Sequence, residues 1–254
     1  MITQPFSSLV TQVFDTYWSF FPNHIAPQIH ELFCQEKDNN MEENLLDVCC
    51  GSGHLGKYFL EKGFSVTGID LSDQAIKLAK EKTKDFGSQA SWIKANASDF
   101  DLNQKFTLAV STFDSLNYLE DLNALENCFK CVYKHLLDKG FFVFDLYTAM
   151  GMKKLNNFSI DETETLTSIF RGFYDGKSEK AFLKISGFLK TNNKYYEKFE
   201  DNLTLHVFQI SIVEKILREN NFKDVRYYKI GSDKLKQIEF PESLERVMIC
   251  ARKN

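Results

Sequence analysis

The sequence lacks long apolar runs, and its basic residues do not cluster. No stretch approaches the roughly 18 apolar residues that cross a bilayer, and the start, MITQPFSSLV, has neither the basic nor the apolar part of a secretory signal. Lys and Arg number 31 against 35 Asp and Glu, a net charge of −4. Because nucleic-acid enzymes carry basic patches, we expect a cytoplasmic protein with neither a nucleic-acid partner nor a membrane partner.

Six cysteines are present, and they do not form a zinc-binding pattern. Cys128, Cys131 and His135 fall at i, i+3 and i+7 of a predicted helix, a spacing that brings three metal ligands together, but no fourth ligand lies nearby in the sequence. We therefore expect no metal ion, and interpret the group as half-buried thiols beside a surface histidine. Unpaired thiols fit a reducing compartment.

Short apolar runs alternate with helical patterns from Leu45 onward. Ser72 is a good N-cap for the second of these helices. Such alternation predicts βαβ units and therefore parallel strands. The predicted strands are NLLDVCC, FSVTGID, ASWIKA, KFTLAVS and FFVFDLY, and VRYYKI and ERVMICAR follow near the end of the chain. We predict an α/β fold, Rossmann-like and doubly wound, with a mostly parallel seven-stranded sheet.

The alternation stops between the fifth strand and the last helix. Three extended segments follow one another there, separated by the turn signals Asp175-Gly176 and Asn192-Asn193, which predicts an inserted antiparallel β-meander. The expected organisation is a helical segment over 1–40, an α/β domain made of 41–147 and 207–254, and an inserted subdomain over 148–206 that covers the active site.

The first 40 residues carry apolar side chains at helical spacing. Two interpretations stay open, a helix that simply packs on the domain and a lid over the carboxyl ends of the strands. The spaced residues are Val10, Val13, Phe14, Tyr17 and Trp18.

A glycine-rich loop follows the first predicted strand. Gly51, Gly53 and Gly56 form GxGxxG between a strand and a helix, and Asp70 ends the next strand nineteen residues after Gly51. This is the dinucleotide fingerprint, in which glycines let the backbone approach the ligand and the acid binds ribose hydroxyls. The pattern alone suits NAD as well as other adenine nucleosides.

Asp47 distinguishes between these ligands. It lies four residues before Gly51, where its charge would repel a pyrophosphate. S-adenosylmethionine has no phosphate and carries an ammonium group and a sulfonium, which an acid at this place attracts. The sequence therefore favours S-adenosylmethionine as the cofactor.

Three stretches resemble the class I S-adenosylmethionine-dependent methyltransferases. The first stretch is LDVCCGSGHLGKYFLEKGFSVTGIDLSDQAIKLAKEK, which is similar to their glycine-rich loop and the acidic residue after the second strand; the others are FDSLNYL at 113–119, similar to a small-molecule branch, and LLDKGFFVFDLY. The resemblance covers about 44–147 well and 207–252 loosely.

The resemblance implies roles for individual residues. Gly51 and Gly53 would approach the methionine part of the cofactor, Asp47 would hold its amino end, and Asp70 would accept from the ribose hydroxyls. Leu71 would lie against adenine. The remaining predicted cofactor-binding residues are Cys49, Ala97, Ser111, Phe113 and Asn96. Asn96 stands where the family often has an aspartate that accepts from the adenine amino group; an amide oxygen can also accept, and Asp99 is a neighbouring alternative.

Catalytic candidates are expected at the carboxyl ends of the fourth and fifth strands or on the covering insert. Asp114 would act as a base or orient an amine, and its alternative role is to cap a turn. Asn117 meets the same positional condition, and Tyr17 and His206 are further candidates. A histidine on a strand is more often a structural residue.

We therefore expect a methyltransferase that passes a methyl group from S-adenosylmethionine to a nitrogen or oxygen atom of a small-molecule acceptor. In such a reaction the protein mainly aligns the nucleophile with the methyl group. Two alternatives stay open, an NAD-dependent oxidoreductase and a protein that binds the cofactor without turnover. The sequence leaves the oligomeric state open between a monomer and a homodimer.

Overall fold

A computed structural model describes residues 5–38, 41–191 and 195–254. Two helices, α1 (Ser8–Tyr17) and α2 (Phe20–Glu36), precede the first strand. The helices and strands that follow, up to the fifth strand, are β1 (Asn44–Val48), α3 (His54–Glu61), β2 (Ser65–Asp70), α4 (Asp73–Lys82), β3 (Ala90–Lys94), β4 (Phe106–Ser111), α5 (Leu122–His135) and β5 (Leu136–Tyr147).

The second half of the chain contains the insert and the end of the main sheet. Its elements are α6 (Ala149–Lys154), β6 (Phe158–Glu162), β7 (Leu166–Asp175), β8 (Lys180–Lys190), β9 (Tyr196–His206), α7 (Ile210–Glu219), β10 (Phe222–Lys229), β11 (Lys236–Ile238) and β12 (Arg246–Lys253). None of the helices in the described ranges is both long and apolar enough to cross a membrane.

The main sheet confirms the predicted α/β class and differs in strand count. Its order is β11-β10-β12-β5-β4-β1-β2-β3. The strands β1 to β5 pair in parallel, and β12 pairs antiparallel with β5 and with β10. The sheet has eight strands instead of seven because the three-residue β11 adds an edge. A strand this short has no apolar alternation by which the sequence could reveal it.

Helices cover both faces of this sheet, so the central strands are buried on both sides. All six residues of β4 are buried, as are four of the five residues of β1. One apolar cluster includes residues of α5 and α7, and the second includes residues of α2, α3 and α4. Ser72 caps α4 as predicted, its hydroxyl accepting from the N–H of Ala75 at 3.2 Å.

The insert is a four-stranded antiparallel sheet in the order β6-β7-β8-β9. Asp175-Gly176 lies at the turn between β7 and β8, as expected, whereas Asn192-Asn193 lies outside the described residues. The sequence prediction missed the edge strand β6, whose Phe158 and Ile160 are exposed. A third apolar cluster joins this sheet to α1 through Val10 and Val13.

The prediction for the three candidate metal ligands is wrong in two respects. Cys128 is buried, not half-buried, whereas Cys131 is half-buried as expected. His135 is buried, which corrects the expectation of a surface histidine. Its Nδ1 lies 2.7 Å from the carbonyl oxygen of Cys131, and its Nε2 accepts from the N–H of Leu102 at 2.9 Å. Within the described ranges, no three His, Cys, Asp or Glu side chains are grouped to hold a metal ion.

Candidate active site

The loop after β1 turns tightly over the carboxyl edge of the sheet. Cys49, Gly51 and Gly53 have φ values of 60°, 53° and 76°. A Cβ atom on Gly51 would meet nothing within 4 Å, so open space lies beside the backbone here. The positive φ favours glycine, and the open space leaves room for a ligand to approach the backbone.

The third glycine of the pattern has a packing role. A Cβ atom on Gly56 would lie 2.5 Å from the indole of Trp92, and one on Gly68 would lie 2.3 Å from the same ring. Trp92 is buried on β3, and its indole N–H donates to the hydroxyl of Thr83 at 2.7 Å. The helix and strands can therefore approach each other closely only because these two residues have no side chain.

Asp70 joins the ends of β1 and β2. One carboxylate oxygen accepts from the N–H of Gly51 at 2.9 Å, and the other accepts from the N–H of Ser72 at 2.9 Å. Each oxygen keeps a second lone pair that can accept from a ribose hydroxyl. Burial raises the pKa of Asp70, and hydrogen bonds from the Ser72, Gly51 and Leu71 amides oppose that rise.

Asp47 is buried at the carboxyl end of β1, and its Oδ2 has no hydrogen-bond partner among the described residues. Burial, and secondarily the negative charge of Asp70, raises the pKa of Asp47 to about 8. The hydroxyl of Ser111, at the end of the adjacent strand β4, is also buried and lies beside the thiol of Cys49. Because buried polar groups normally find partners, an ammonium group and a polar ligand suit this edge.

The Asp47→Asn variant tests this environment. The folded-state pKa of about 8 lies above the unfolded value of 3.8, so between these values the unfolded chain binds fewer protons and stability falls as pH rises. The variant lacks this loss of stability because asparagine does not ionise. We therefore expect the melting temperature of the variant minus that of the parent, both measured on free protein, to increase from about pH 5 to about pH 8. Equal pH dependence in the two proteins would contradict a raised pKa.

The residues predicted to contact adenine lie after β2 and β3. Asn96 forms an isolated bridge with Asp99, and its side-chain oxygen accepts from the N–H of Ser98 at 2.9 Å. That oxygen has a second lone pair for an adenine amino group. Ala97 is buried, Leu71 is half-buried and Asp99 is exposed, so Leu71 and Asn96 remain predictions as adenine contacts.

A second polar group lies at the ends of β4 and β5. Phe113 and Asp114 have φ values of 66° and 49°, which side-chain-bearing residues rarely adopt. The carboxylate of Asp145 accepts from the backbone N–H of both residues, at 2.6 Å and 2.9 Å. Asp145 thus holds the strained turn that presents Asp114.

Arg246, the first residue of β12, binds both acids. Its Nη2 donates to Asp114 at 2.6 Å, and its Nη1 donates to Asp145 at 2.5 Å. Sequence reasoning missed Arg246 and Asp145 because more than a hundred residues separate them along the chain, and only the pairing of β12 with β5 brings them together.

Aromatic rings surround the guanidinium. Its carbon lies 4.1 Å from the ring centre of Tyr147, 4.4 Å from that of Phe21 and 5.6 Å from that of Phe113. Stacking of this kind favours arginine over lysine. The result is a largely desolvated group of two carboxylates and one cation, with a net charge of −1 when all are ionised.

The pKa of Asp114 is raised to about 6. Burial is the largest cause of this rise, Arg246 opposes it, and the negative charge of Asp145 adds to it.

Asn117 lies next to this group but uses its amide on the backbone. Its oxygen accepts from the N–H of Tyr147 at 2.9 Å, and its nitrogen donates to the carbonyl of His206 at 2.8 Å. These bonds join the end of β5 to the end of β9. We therefore treat Asn117 as a positioning residue instead of a group that contacts substrate.

Tyr17 on α1 contacts the insert, and His206 is the last residue of its strand β9. The Tyr17 hydroxyl lies 2.6 Å from the hydroxyl of Thr165, just before β7. The His206 ring lies 6.3 Å from that of Phe208, and its Nδ1 is buried without a partner in the described part of the chain. Burial, and secondarily Lys180, lowers the pKa of His206, so its imidazole is neutral at pH 7.

The N-terminal helices pack against the loops of both groups. Asp15 of α1 contacts His54, the first residue of α3, at 2.8 Å and Lys82 of α4 at 2.5 Å. Burial alone would raise the pKa of Asp15, but hydrogen bonds from His54, Lys82 and Ser52 outweigh it and hold the pKa well below its usual range. Rings from the helices also pack on Phe113: Phe14, Phe20 and Phe21, with centroid distances of 5.9, 6.4 and 5.2 Å.

Comparisons with known proteins agree with this arrangement. Residues 45–140 match the family described as "Methyltransferase domain". A relative from Bacillus subtilis (strain 168), named "Putative methyltransferase YqeM", is 26% identical over 226 residues, which are 88% of this chain and 87% of the relative.

Two solved structures share the fold. A S-adenosylmethionine-dependent methyltransferase from Clostridium acetobutylicum ATCC 824 has a TM-score of 0.79 at 21% identity, over 97% of this chain and 98% of that one. The sugar N-methyltransferase KedS8 from Streptoalloteichus sp ATCC 53650 has a TM-score of 0.76 at 16% identity, over 99% and 94%.

The open backbone at Gly51, the unpartnered oxygen of Asp47 and the unused lone pairs of Asp70 fit the cofactor of that family. They favour S-adenosylmethionine over the nicotinamide alternative, since a buried acid without a partner suits a ligand with an ammonium group better than one with a pyrophosphate. Residues 45–140 therefore carry a methyltransferase domain, and the chain has the fold of S-adenosylmethionine-dependent methyltransferases.

Proposed function

We propose that the protein methylates a nitrogen or oxygen atom of a small molecule, and that a nitrogen is the favoured acceptor. The observation that carries the proposal is the group of Asp114, Asp145 and Arg246, in which two buried carboxylates face one guanidinium. Excess negative charge in a desolvated place attracts a cationic or proton-donating group such as an amine.

A cleft next to Arg246 supports a small acceptor. Its volume is about 410 Å³, and it is open to solvent. The cleft lies where β10 ends and β12 begins, at the same carboxyl edge as the cofactor loop. Its lining includes Phe21, Met150, Lys229, Ile230, Ser243 and Arg246. The fold shared with a sugar N-methyltransferase is consistent with an amine-bearing acceptor.

The chemistry divides between the cofactor and the chain. Bound S-adenosylmethionine supplies a methyl group already activated by the sulfonium. The chain's part is to hold the acceptor in line with that methyl group and to remove a proton. The acceptor nitrogen would provide the electron pair of the new N–C bond while the C–S bond of the sulfonium breaks and leaves its electron pair on sulfur. The proton of the methylated nitrogen would pass to Asp114, whose pKa of about 6 suits a base near neutral pH. The rings of Phe21 and Phe113 stack at 5.2 Å beside Arg246 and would limit the access of water to this step.

The acceptor class can be tested with matched pairs of compounds. The protein is incubated with S-adenosylmethionine and either an amino sugar or the sugar with a hydroxyl at the same carbon, and a second pair compares an aromatic amine with the corresponding phenol. A single-stranded oligonucleotide is the macromolecular comparison. We expect S-adenosylhomocysteine to form faster with the amine of a pair. Turnover with the oligonucleotide alone would overturn the proposal.

A further inference from the structure

The inserted sheet has an outer face that turns away from α1 and α6. Side chains alternate between the two faces of each strand, and the inner set packs with Val10 of α1 and Met152 of α6 in the third apolar cluster. The outer set carries six large apolar residues that are 45–60% exposed: Phe158, Ile160, Phe173, Phe182, Phe188 and Tyr196. A contiguous apolar face of this kind marks an interaction surface.

The strand pairing joins these side chains into one surface. Phe173 pairs with Phe182 across β7 and β8, and Ile160 pairs with Ile169 across β6 and β7. Phe188 lies further along β8 on the same face, since six residues separate it from Phe182 and side chains alternate. The patch therefore extends over three neighbouring strands and is not a set of isolated exposed residues.

The size of the outer face suits a dimer. Strands β7, β8 and β9 have ten or eleven residues, and β6 has five. At about 3.4 Å per residue and about 4.8 Å between strands, the flat area is roughly 600 Å². Two such faces together would remove about 1,200 Å² from water, which reaches the range of stable protein–protein interfaces.

The apolar pattern of the outer face is complementary to itself. Phe182 and Phe188 each lie three residues from Ile185, the central residue of β8. A two-fold axis that crosses the strands at Ile185 therefore places Phe182 of one copy opposite Phe188 of the other, twice in the dimer. Face-to-face sheets lie about 10 Å apart, and rings from both copies can fill that space.

The charges on the outer face follow the same symmetry. Arg171 and Lys184 are cross-strand partners on one side of the axis, and Ser186 and Glu200 are partners on the other side. The two-fold rotation exchanges the sides, so the bases of each copy face the row that holds the acid of the other. Opposed charges of this kind favour a second copy of the chain over a partner surface of a single sign.

We propose that the protein is a homodimer in which the outer faces of the two inserted sheets pack together about a two-fold axis at Ile185. The exposed apolar side chains of each copy then form the core of the interface. The inference concerns assembly and does not depend on the identity of the methyl acceptor.

The test combines single and double variants of the full chain with sedimentation velocity over a range of protein concentrations. We expect the parent to sediment with the mass of two chains. Phe182→Glu sets a charge against an apolar ring at two places in the dimer, so its dimer dissociation constant should rise by at least about 100-fold. The double variant Phe182→Glu/Phe188→Lys sets opposite charges against each other, and its dissociation constant should return to within about 10-fold of the parent.

Phe240→Glu is the matched control, because Phe240 is 75% exposed and lies outside the insert. It should dimerise like the parent. Binding of S-adenosylhomocysteine, measured by calorimetry, verifies that each variant is folded. A parent that sediments as single chains would overturn the proposal and leave the face to a different kind of partner. Dimers that persist in Phe182→Glu, or that the folded double variant does not restore, would also overturn it.

Discussion

The Asp70→Ala variant is expected to lose cofactor binding while it keeps its fold. Two changes act together, because the predicted acceptor of the ribose hydroxyls is removed and the amides of Gly51 and Ser72 lose their acceptor. Each charge-assisted hydrogen bond contributes about 1.5–3 kcal/mol, so two ribose bonds correspond to an affinity loss of roughly 100-fold or more. Calorimetric titration with S-adenosylmethionine and S-adenosylhomocysteine measures the loss.

Asp73→Ala provides the comparison for Asp70. Asp73 is an exposed acid three residues further on, and its carboxylate pairs with Lys94 at 2.5 Å on the surface. Removing it changes the net charge by the same amount without touching the loop, so its affinity should equal that of the parent. If Asp70→Ala bound the cofactor within about threefold of the parent, the assignment of Asp70 to the ribose would be wrong.

The Asp114→Asn variant should bind cofactor normally and transfer methyl groups slowly. Asparagine tolerates the left-handed backbone that Asp114 adopts, and Arg246 keeps Asp145 as its partner, so the turn is preserved. Loss of a general base typically lowers a rate by about 10²- to 10⁴-fold. We expect a fall of that size in kcat with cofactor affinity within about twofold of the parent. Asp138→Asn, an exposed change at the other end of β5, should leave both unchanged.

The pKa of Asp114 also predicts how kcat/KM depends on pH. A base must be ionised, so kcat/KM of the parent should rise with pH through the pKa of Asp114, about 6, and then level off. The asparagine variant should lack this rise. A profile that is the same in both proteins would show that Asp114 orients the acceptor without taking its proton.

Features fixed by neighbouring residues were predictable from the sequence. The glycine loop, Asp70 and the cap at Ser72 all lie within 30 residues, and each has a spacing that follows from local geometry. Asp47 was recognised by its charge alone. A carboxylate oxygen without a hydrogen-bond partner indicates a ligand only if it is buried. The burial of Asp47 follows only from the packing of β1 between β2 and β4.

Features that depend on distant contacts were not predictable. Arg246 has no motif around it, and its partners become visible only when β12 pairs with β5. Asn117 lies in the turn after β4, but whether its amide binds substrate or backbone depends on where β9 ends.

The central claim is that two groups of residues act on the same small acceptor. The first is the predicted cofactor-binding pair Asp47 and Asp70, on β1 and β2, and the second is Asp114 and Asp145, after β4 and on β5. The most direct measurement supplies S-adenosylmethionine labelled with ¹³C in its methyl group, together with a cell extract separated into small molecules and macromolecules. We predict that the label enters the small-molecule fraction, with the carbon chemical shift of an N-methyl group, and that Asp114→Asn abolishes this. Label found only in protein or nucleic acid, or no transfer despite cofactor binding, would contradict the account.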